Sequence, residues 1–201
     1  MGWTTPIRIN FAISAGLFGL VLFFYFPFLV MVEARPGIIL ADPILAHLPI
    51  IDLGWLIFTM INGVLLVTLI HLYRYPDRLV LWLQAYTTMM IFRMIVMNLV
   101  VLDPPSGMIV LRDPFIELFS PHPHPLTRDL FFSGHTATLV LCYLLTVNQT
   151  LKKAFLIFAI LTPICLLIQH VHYSIDVVAA PFFAYGSYWL VKKRSQIWKS
   201  T

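Results

Sequence analysis

Six apolar runs, each close to or above the length of a bilayer crossing, constrain this chain more than any other feature. They cover residues 8–32, 52–73, 79–102, 130–149, 153–172 and 174–191. About 20 consecutive apolar residues cross the roughly 30 Å hydrocarbon layer as one helix. Backbone N–H and C=O groups find no water in that layer, so such runs must bond within themselves as helices. The composition agrees, with 60% hydrophobic and only 11% charged residues. A soluble domain is about a quarter charged. The expected fold class is all-α: an integral membrane bundle of six transmembrane helices, in a single domain over residues 1–201. No basic stripe on a soluble fold points to nucleic acid. Cys142 and Cys165 both lie in apolar runs and read as free thiols.

The basic residues orient the bundle. Arg8, Arg74, Arg78, Lys152, Lys153, Lys192, Lys193, Arg194 and Lys199 share one side if the spans alternate, and Arg35, Arg112 and Arg128 share the other. Nine against three places both termini in the cytoplasm by the positive-inside rule. The acids except Asp77 fall at the outer, periplasmic or exoplasmic, end.

Two polar clusters interrupt the apolar pattern, and the alternation brings both to that outer end. The first is Phe131-Phe132-Ser133-Gly134-His135-Thr136, where a proline-rich loop becomes the fourth apolar run. A helix start there offers unpaired N–H groups and a partial positive charge, the makings of a phosphate cradle. His135 adds a group able to carry a proton near neutral pH. The second cluster is His172-Tyr173-Ser174-Ile175-Asp176. On a helical turn, residues four apart share a face, and a carboxylate on one imidazole nitrogen leaves the other free to react.

Other polar residues leave alternatives open. Asp129 can hold a cation, cap the fourth span or support proton transfer. Arg128 beside it can meet phosphate or sit at the interface. Arg93 lies inside the third span, where an ionisable side chain usually faces a polar cavity. It either pairs with a buried acid or presents its planar fork to a headgroup phosphate, the reading its charge favours. His170 lies on another side of a helix from His172 and has at most a minor role. Residues 103–129 form the longest connection, with a short interfacial helix expected over 109–119. His122 and His124 in that loop lack the partners of a metal site. No Gly-rich dinucleotide turn, Walker loop or Glu-rich metal site is present, so neither cofactor nor metal is expected.

The stretches Asp129-Leu130-Phe131-Phe132-Ser133-Gly134-His135-Thr136 and His172-Tyr173-Ser174-Ile175-Asp176-Val177-Val178 resemble the type 2 phosphatidic acid phosphatase superfamily of lipid phosphatases and phosphotransferases. The nearest likeness is to its sphingomyelin synthase branch. A weaker likeness runs from Arg93 to Leu102-Asp103-Pro104-Pro105, and the whole covers roughly residues 85–185. The resemblance implies a six-helix membrane fold and a His-His-Asp triad, which falls on His135, His172 and Asp176. Arg93, Arg128, Asp129, Ser133 and Gly134 are the residues expected around the substrate phosphate. The broader phosphatases carry a Ser-Arg pair where this chain has Cys165-Leu166, which counts against a standard phosphatase. Val171 stands where the synthase branch often has an acid. The implied activity moves a phospho-headgroup from a phospholipid donor to a lipid-alcohol acceptor, such as ceramide or diacylglycerol, through a phosphohistidine. A hydrolase using water as acceptor and a non-catalytic lipid-binding protein are the alternatives. Nothing in the sequence bears on an oligomeric state.

Overall fold

The computed structural model describes residues 2–111 and 126–200. Among them are six α-helices: α1 (Thr5–Glu33), α2 (Gly54–Tyr73), α3 (Pro76–Leu99), α4 (Gly134–Leu145), α5 (Gln149–Ile168) and α6 (Ser174–Ser200). A single 3₁₀ turn, Leu45–His47, lies between α1 and α2. Each helix falls on one of the six expected runs, and α1, α2, α3 and α5 are long and apolar enough to cross a membrane. His122, His124, Arg112 and most of the expected 109–119 helix lie outside the described residues.

Local chemistry sets several helix starts. Pro76 opens α3, where a missing N–H is harmless, and Asp77 adds a carboxylate to its first turn. Asn148 caps α5 through its Oδ1, which accepts from Thr150 N at 2.9 Å and Leu151 N at 3.0 Å. The other end of α5 closes in a Schellman arrangement. Val171 N donates to Leu166 O at 2.9 Å and His170 N to Leu167 O at 3.0 Å. His170 occupies the left-handed position with φ 56°, where glycine is the usual occupant.

Three boundaries differ from the sequence expectation, each for a physical reason. The fifth span ends at Ile168 rather than 172, because the Schellman turn reverses the chain. His172 therefore sits in a turn, not on a helix. The sixth helix starts as expected but runs to Ser200, past the basic residues 192–194. The fourth span, expected over 130–149, forms a helix of only 12 residues. That is about 18 Å, short of a bilayer crossing. It can be short because it is not a lipid-facing element. α4 packs against α2, α3, α5 and α6, while α1 lies outside and packs on α3. Leu139, Leu141, Cys142 and Leu145 of α4 are fully or almost fully buried in the main apolar cluster. The short central helix is thus held by its neighbours, and its N-terminal motif sits inside the bundle near one end.

Among the described residues, that end is closed by loop residues 34–53, 100–111, 126–133 and 169–173. Ile38 and Leu102 form a parallel β-bridge. Ile38 N donates to Val101 O and Asp103 N to Ile38 O, both at 3.1 Å. Gly37 is required there, since a Cβ would collide with the backbone of Leu102 and Asp103. Gln169 joins the loops again: its Oε1 accepts from Leu53 N at 2.9 Å and its Nε2 donates to Ile109 O at 3.1 Å.

If α4 is the packing centre, truncation there should matter far more than on α1. Leu139→Ala should lower the unfolding free energy by about 2–5 kcal/mol. Leu17→Ala, on the exposed face of α1, should change it little. Denaturant titration in one detergent compares the two variants directly.

Candidate active site

Two helix starts build the site. At α4, Ser133 is the N-cap: its Oγ accepts from Thr136 N at 3.4 Å and from Thr136 Oγ1 at 3.1 Å. At α6, Asp176 lies in the first turn, where a carboxylate complements the helix dipole. Its Oδ2 accepts from Tyr173 N at 2.9 Å, the backward half of a capping box. The two starts are bonded directly, Ser133 N donating to Asp176 O at 3.1 Å.

This junction sets the histidine geometry. Asp176 Oδ2 also lies 3.3 Å from His172 Nδ1, with both side chains buried. With Nδ1 turned to the carboxylate, Nε2 is the nitrogen left for chemistry. The His135 ring stands 6.1 Å from the His172 ring, centroid to centroid, at an interplanar angle of 65°. His135 Nδ1 is buried and has no hydrogen-bond partner among the described residues. His135 is therefore brought into one cluster with His172 and Asp176, 37 and 41 positions later in sequence. Among the described residues, the N–H groups of Gly134 and His135 meet no protein acceptor.

The expected phosphate-contacting residues occupy different places. Arg93 is buried, 3% exposed. Its Nη1 donates to Phe132 O at 2.7 Å, its Nε to Tyr25 Oη at 3.2 Å, and its Nη2 pairs with Asp129. The guanidinium lies so close over Gly134 that any Cβ there would overlap it. Arg93 thus holds the strand of chain entering α4, and Asp129 is its anionic partner. The Ser133 hydroxyl is occupied as a cap. Arg128 is turned toward Asp103, with Nε to Oδ1 at 2.6 Å, and also donates to Glu33 O.

Several supporting residues escaped the sequence reading. The Glu33 carboxylate accepts from Thr127 N at 2.8 Å, Thr127 Oγ1 at 2.6 Å and Arg128 N at 2.9 Å. Asp42 accepts from Ser174 N at 2.6 Å and Ser174 Oγ at 3.0 Å, and also from Ile44 N and Leu45 N. Tyr173 Oη accepts from Leu40 N and donates to Asp103 O. His170 Nδ1 lies 3.1 Å from Ser106 O. The only signal for these was a general one, the gathering of acids at one end.

Two loop carboxylates are shifted by these contacts. Burial raises the Asp42 pKa, but the hydrogen bonds from Ser174, Leu45 and Ile44 outweigh it and hold the carboxyl below its ordinary 3.8. The Arg128 hydrogen bond holds Asp103 below the same value, against a smaller upward pull from desolvation.

Residues 128–193 match a family model described as PAP2 superfamily C-terminal. The matched segment contains His135, His172 and Asp176. It supports the type 2 phosphatidic acid phosphatase superfamily, whose members are lipid phosphatases and phosphotransferases, and does not reach the sphingomyelin synthase-like branch. A comparison with curated proteins found no match.

Two outcomes check the site. Asp42 has a depressed pKa, so its stabilisation is full above pH 3.8 and is lost as pH falls through the lower folded-state value. Asp42→Asn should therefore melt lower than wild type at pH 7, and the gap should close on acidification below pH 3.8. Thermal melts across pH read this. Gly134→Ala should displace the Arg93 guanidinium and reduce stability and turnover together, and the same melts with a lipid assay follow both.

Proposed function

We propose that this protein is a membrane lipid phosphotransferase, moving a phospho-headgroup from a phospholipid donor to a lipid alcohol such as ceramide or diacylglycerol. The observation that carries this reading is the buried Asp176–His172 pair with the His135 ring 6.1 Å from His172. A carboxylate fixes one histidine as a nucleophile, and the second histidine is near enough to serve the same phosphorus as acid and base.

The chemistry runs in two displacements. First, Nε2 of neutral His172 attacks the phosphorus. The P–N bond forms, the P–O bond to diacylglycerol breaks, and protonated His135 gives its proton to the departing oxygen. Asp176 stabilises the cationic phosphohistidine ring. Second, the acceptor hydroxyl oxygen attacks the phosphorus. The P–N bond breaks and neutral His135 takes the hydroxyl proton, so both histidines return to their starting states. Dividing the transfer this way replaces one difficult step by two easier ones. The first N–H groups of α4 face the phosphoryl oxygens, while Arg93 and Asp129 set the position of that helix start.

Two features favour a lipid alcohol over water. The phosphatase Ser-Arg pair is replaced by Cys165-Leu166. His172 and Asp176 are also buried, with His135 half-buried beside them, at the end of an apolar bundle. The nine-to-three bias of basic residues supports cytoplasmic termini and a site opening on the outer face.

Reconstituted vesicles carrying headgroup-labelled phospholipid, with and without ceramide or diacylglycerol, test the proposal. Label should move to a new lipid when an acceptor is supplied. His172→Ala should abolish transfer with folding intact, and Asp176→Asn should slow it by roughly 10²-fold or more. Unchanged turnover in His172→Ala would remove the phosphohistidine. Label released to water regardless of acceptor would make the protein a hydrolase.

A further inference from the structure

A second feature lies beside the catalytic cluster and takes no part in the chemistry above. It is an open cleft of about 400 Å³ with an almost wholly apolar lining. One wall is Ile38 and Leu40 of the first loop, and another is residues 99–102 at the end of α3. Phe131 and Ile175 complete it. Its size falls within the usual range for small-ligand clefts.

We propose that this cleft binds one acyl chain of the phospholipid donor and selects among donors by that chain. The proposal rests on the lipid phosphotransferase reading and deepens it.

Three observations argue for a hydrocarbon chain. The cleft adjoins the reacting groups through the backbone: Phe131 lies two residues before Ser133, and Ile175 immediately precedes Asp176. At about 3.8 Å per residue, Phe131 and Ile175 lie within about 8 Å of Ser133 and Asp176 along the backbone. The cleft is also continuous with the lipid-facing surface. Ile91, Ile95 and Leu99 form an exposed stripe on α3, and Ile175, Val178 and Phe182 form one on α6. The spacings, four on α3 and three then four on α6, keep each stripe on one helix face. α3 and α6 pack together, and one end of each stripe, Leu99 and Ile175, lines the cleft. Lastly, the walls are fixed rather than fluid. The Ile38–Leu102 bridge joins two walls, and Tyr173 Oη ties Leu40 N to Asp103 O behind them. A preformed apolar slot between polar loops favours a straight chain and rejects a headgroup.

The test uses the full chain in lipid nanodiscs with phosphatidylcholine and phosphatidylethanolamine bearing a diazirine in one acyl chain. Photolabelled residues are mapped by mass spectrometry for wild type and for His135→Ala, which retains the cleft. Labelling should concentrate on Ile38, residues 99–102 and Ile175, above the exposed α1 residues Phe23 and Phe24. Ile38→Trp and Leu99→Trp place bulk at two exposed rim positions, 68% and 74% accessible in the native protein. Either should cut cleft labelling and raise KM for a dioleoyl donor by roughly tenfold. kcat should be unchanged, as should turnover of a dihexanoyl donor. Two independent variants guard against a folding loss in one. Cleft labelling with no turnover of any phospholipid would support the chain site and overturn the transferase reading. Turnover with labelling spread evenly over α1 and the cleft, and with KM unmoved in both variants, would overturn the chain site alone.

Discussion

The buried guanidinium of Arg93 is the interaction on which the geometry of the site depends. A charge inside an apolar bundle is tolerable only when paired and hydrogen-bonded. Here the acceptors are Asp129, the Phe132 carbonyl and the Tyr25 hydroxyl, drawn from two other parts of the chain. The Phe132 carbonyl belongs to the residue just before the α4 cap, so satisfying Arg93 fixes where α4 begins. Gly134 follows from the same fact, because the guanidinium fills the space a side chain would need. Removing one member of such a pair leaves an uncompensated buried charge, which makes the arrangement a rigid one.

The loops at this end extend that fixation to the second helix start. Glu33 holds residues 127 and 128, Asp42 holds Ser174, and Asp103 receives Arg128. These carboxylates lie in three separate stretches of sequence. Each accepts backbone N–H groups or a guanidinium that would otherwise be unsatisfied near the membrane boundary. Glu33, Asp42 and Asp103 are thus structural, and their charge is offset locally by hydrogen bonds.

The sequence was readable where periodic or local rules dominate. All six helices fall on apolar runs, because hydrocarbon solvent forces long self-bonded segments. His135, His172 and Asp176 stood out because polar triplets interrupt those runs. What stayed hidden was decided by tertiary contact. The shortness of α4 depends on four surrounding helices, which no local pattern announces. Arg93 was open between acid partner and phosphate ligand, and its choice depends on Asp129 and Phe132, more than 30 residues away. His170 looked unimportant because its place is set by backbone conformation, in the left-handed turn that ends α5. Asp42 and Glu33 showed only that acids gather at one end, since a loop carboxylate does not reveal which distant N–H it will accept.

The structure adds one element to the phosphate argument that the motifs lacked. The sequence offered a single helix start, at Ser133-Gly134-His135. The fold brings a second, α6, to the same place and bonds the two through Ser133 N and Asp176 O. Both N-terminal ends carry partial positive charge from their dipoles. For the proposed transfer, negative charge must be redistributed over the phosphoryl oxygens without reorganising the site, and preorganised dipoles do this well away from water. The α4 end supplies the N–H groups and the acid–base histidine. The α6 end already carries its own carboxylate, which offsets its dipole and orients His172. That asymmetry gives two otherwise similar helix starts different tasks. In the proposed transfer, the attacking nitrogen would belong to the histidine beside the carboxylate, and proton transfer to the one beside the open N–H groups.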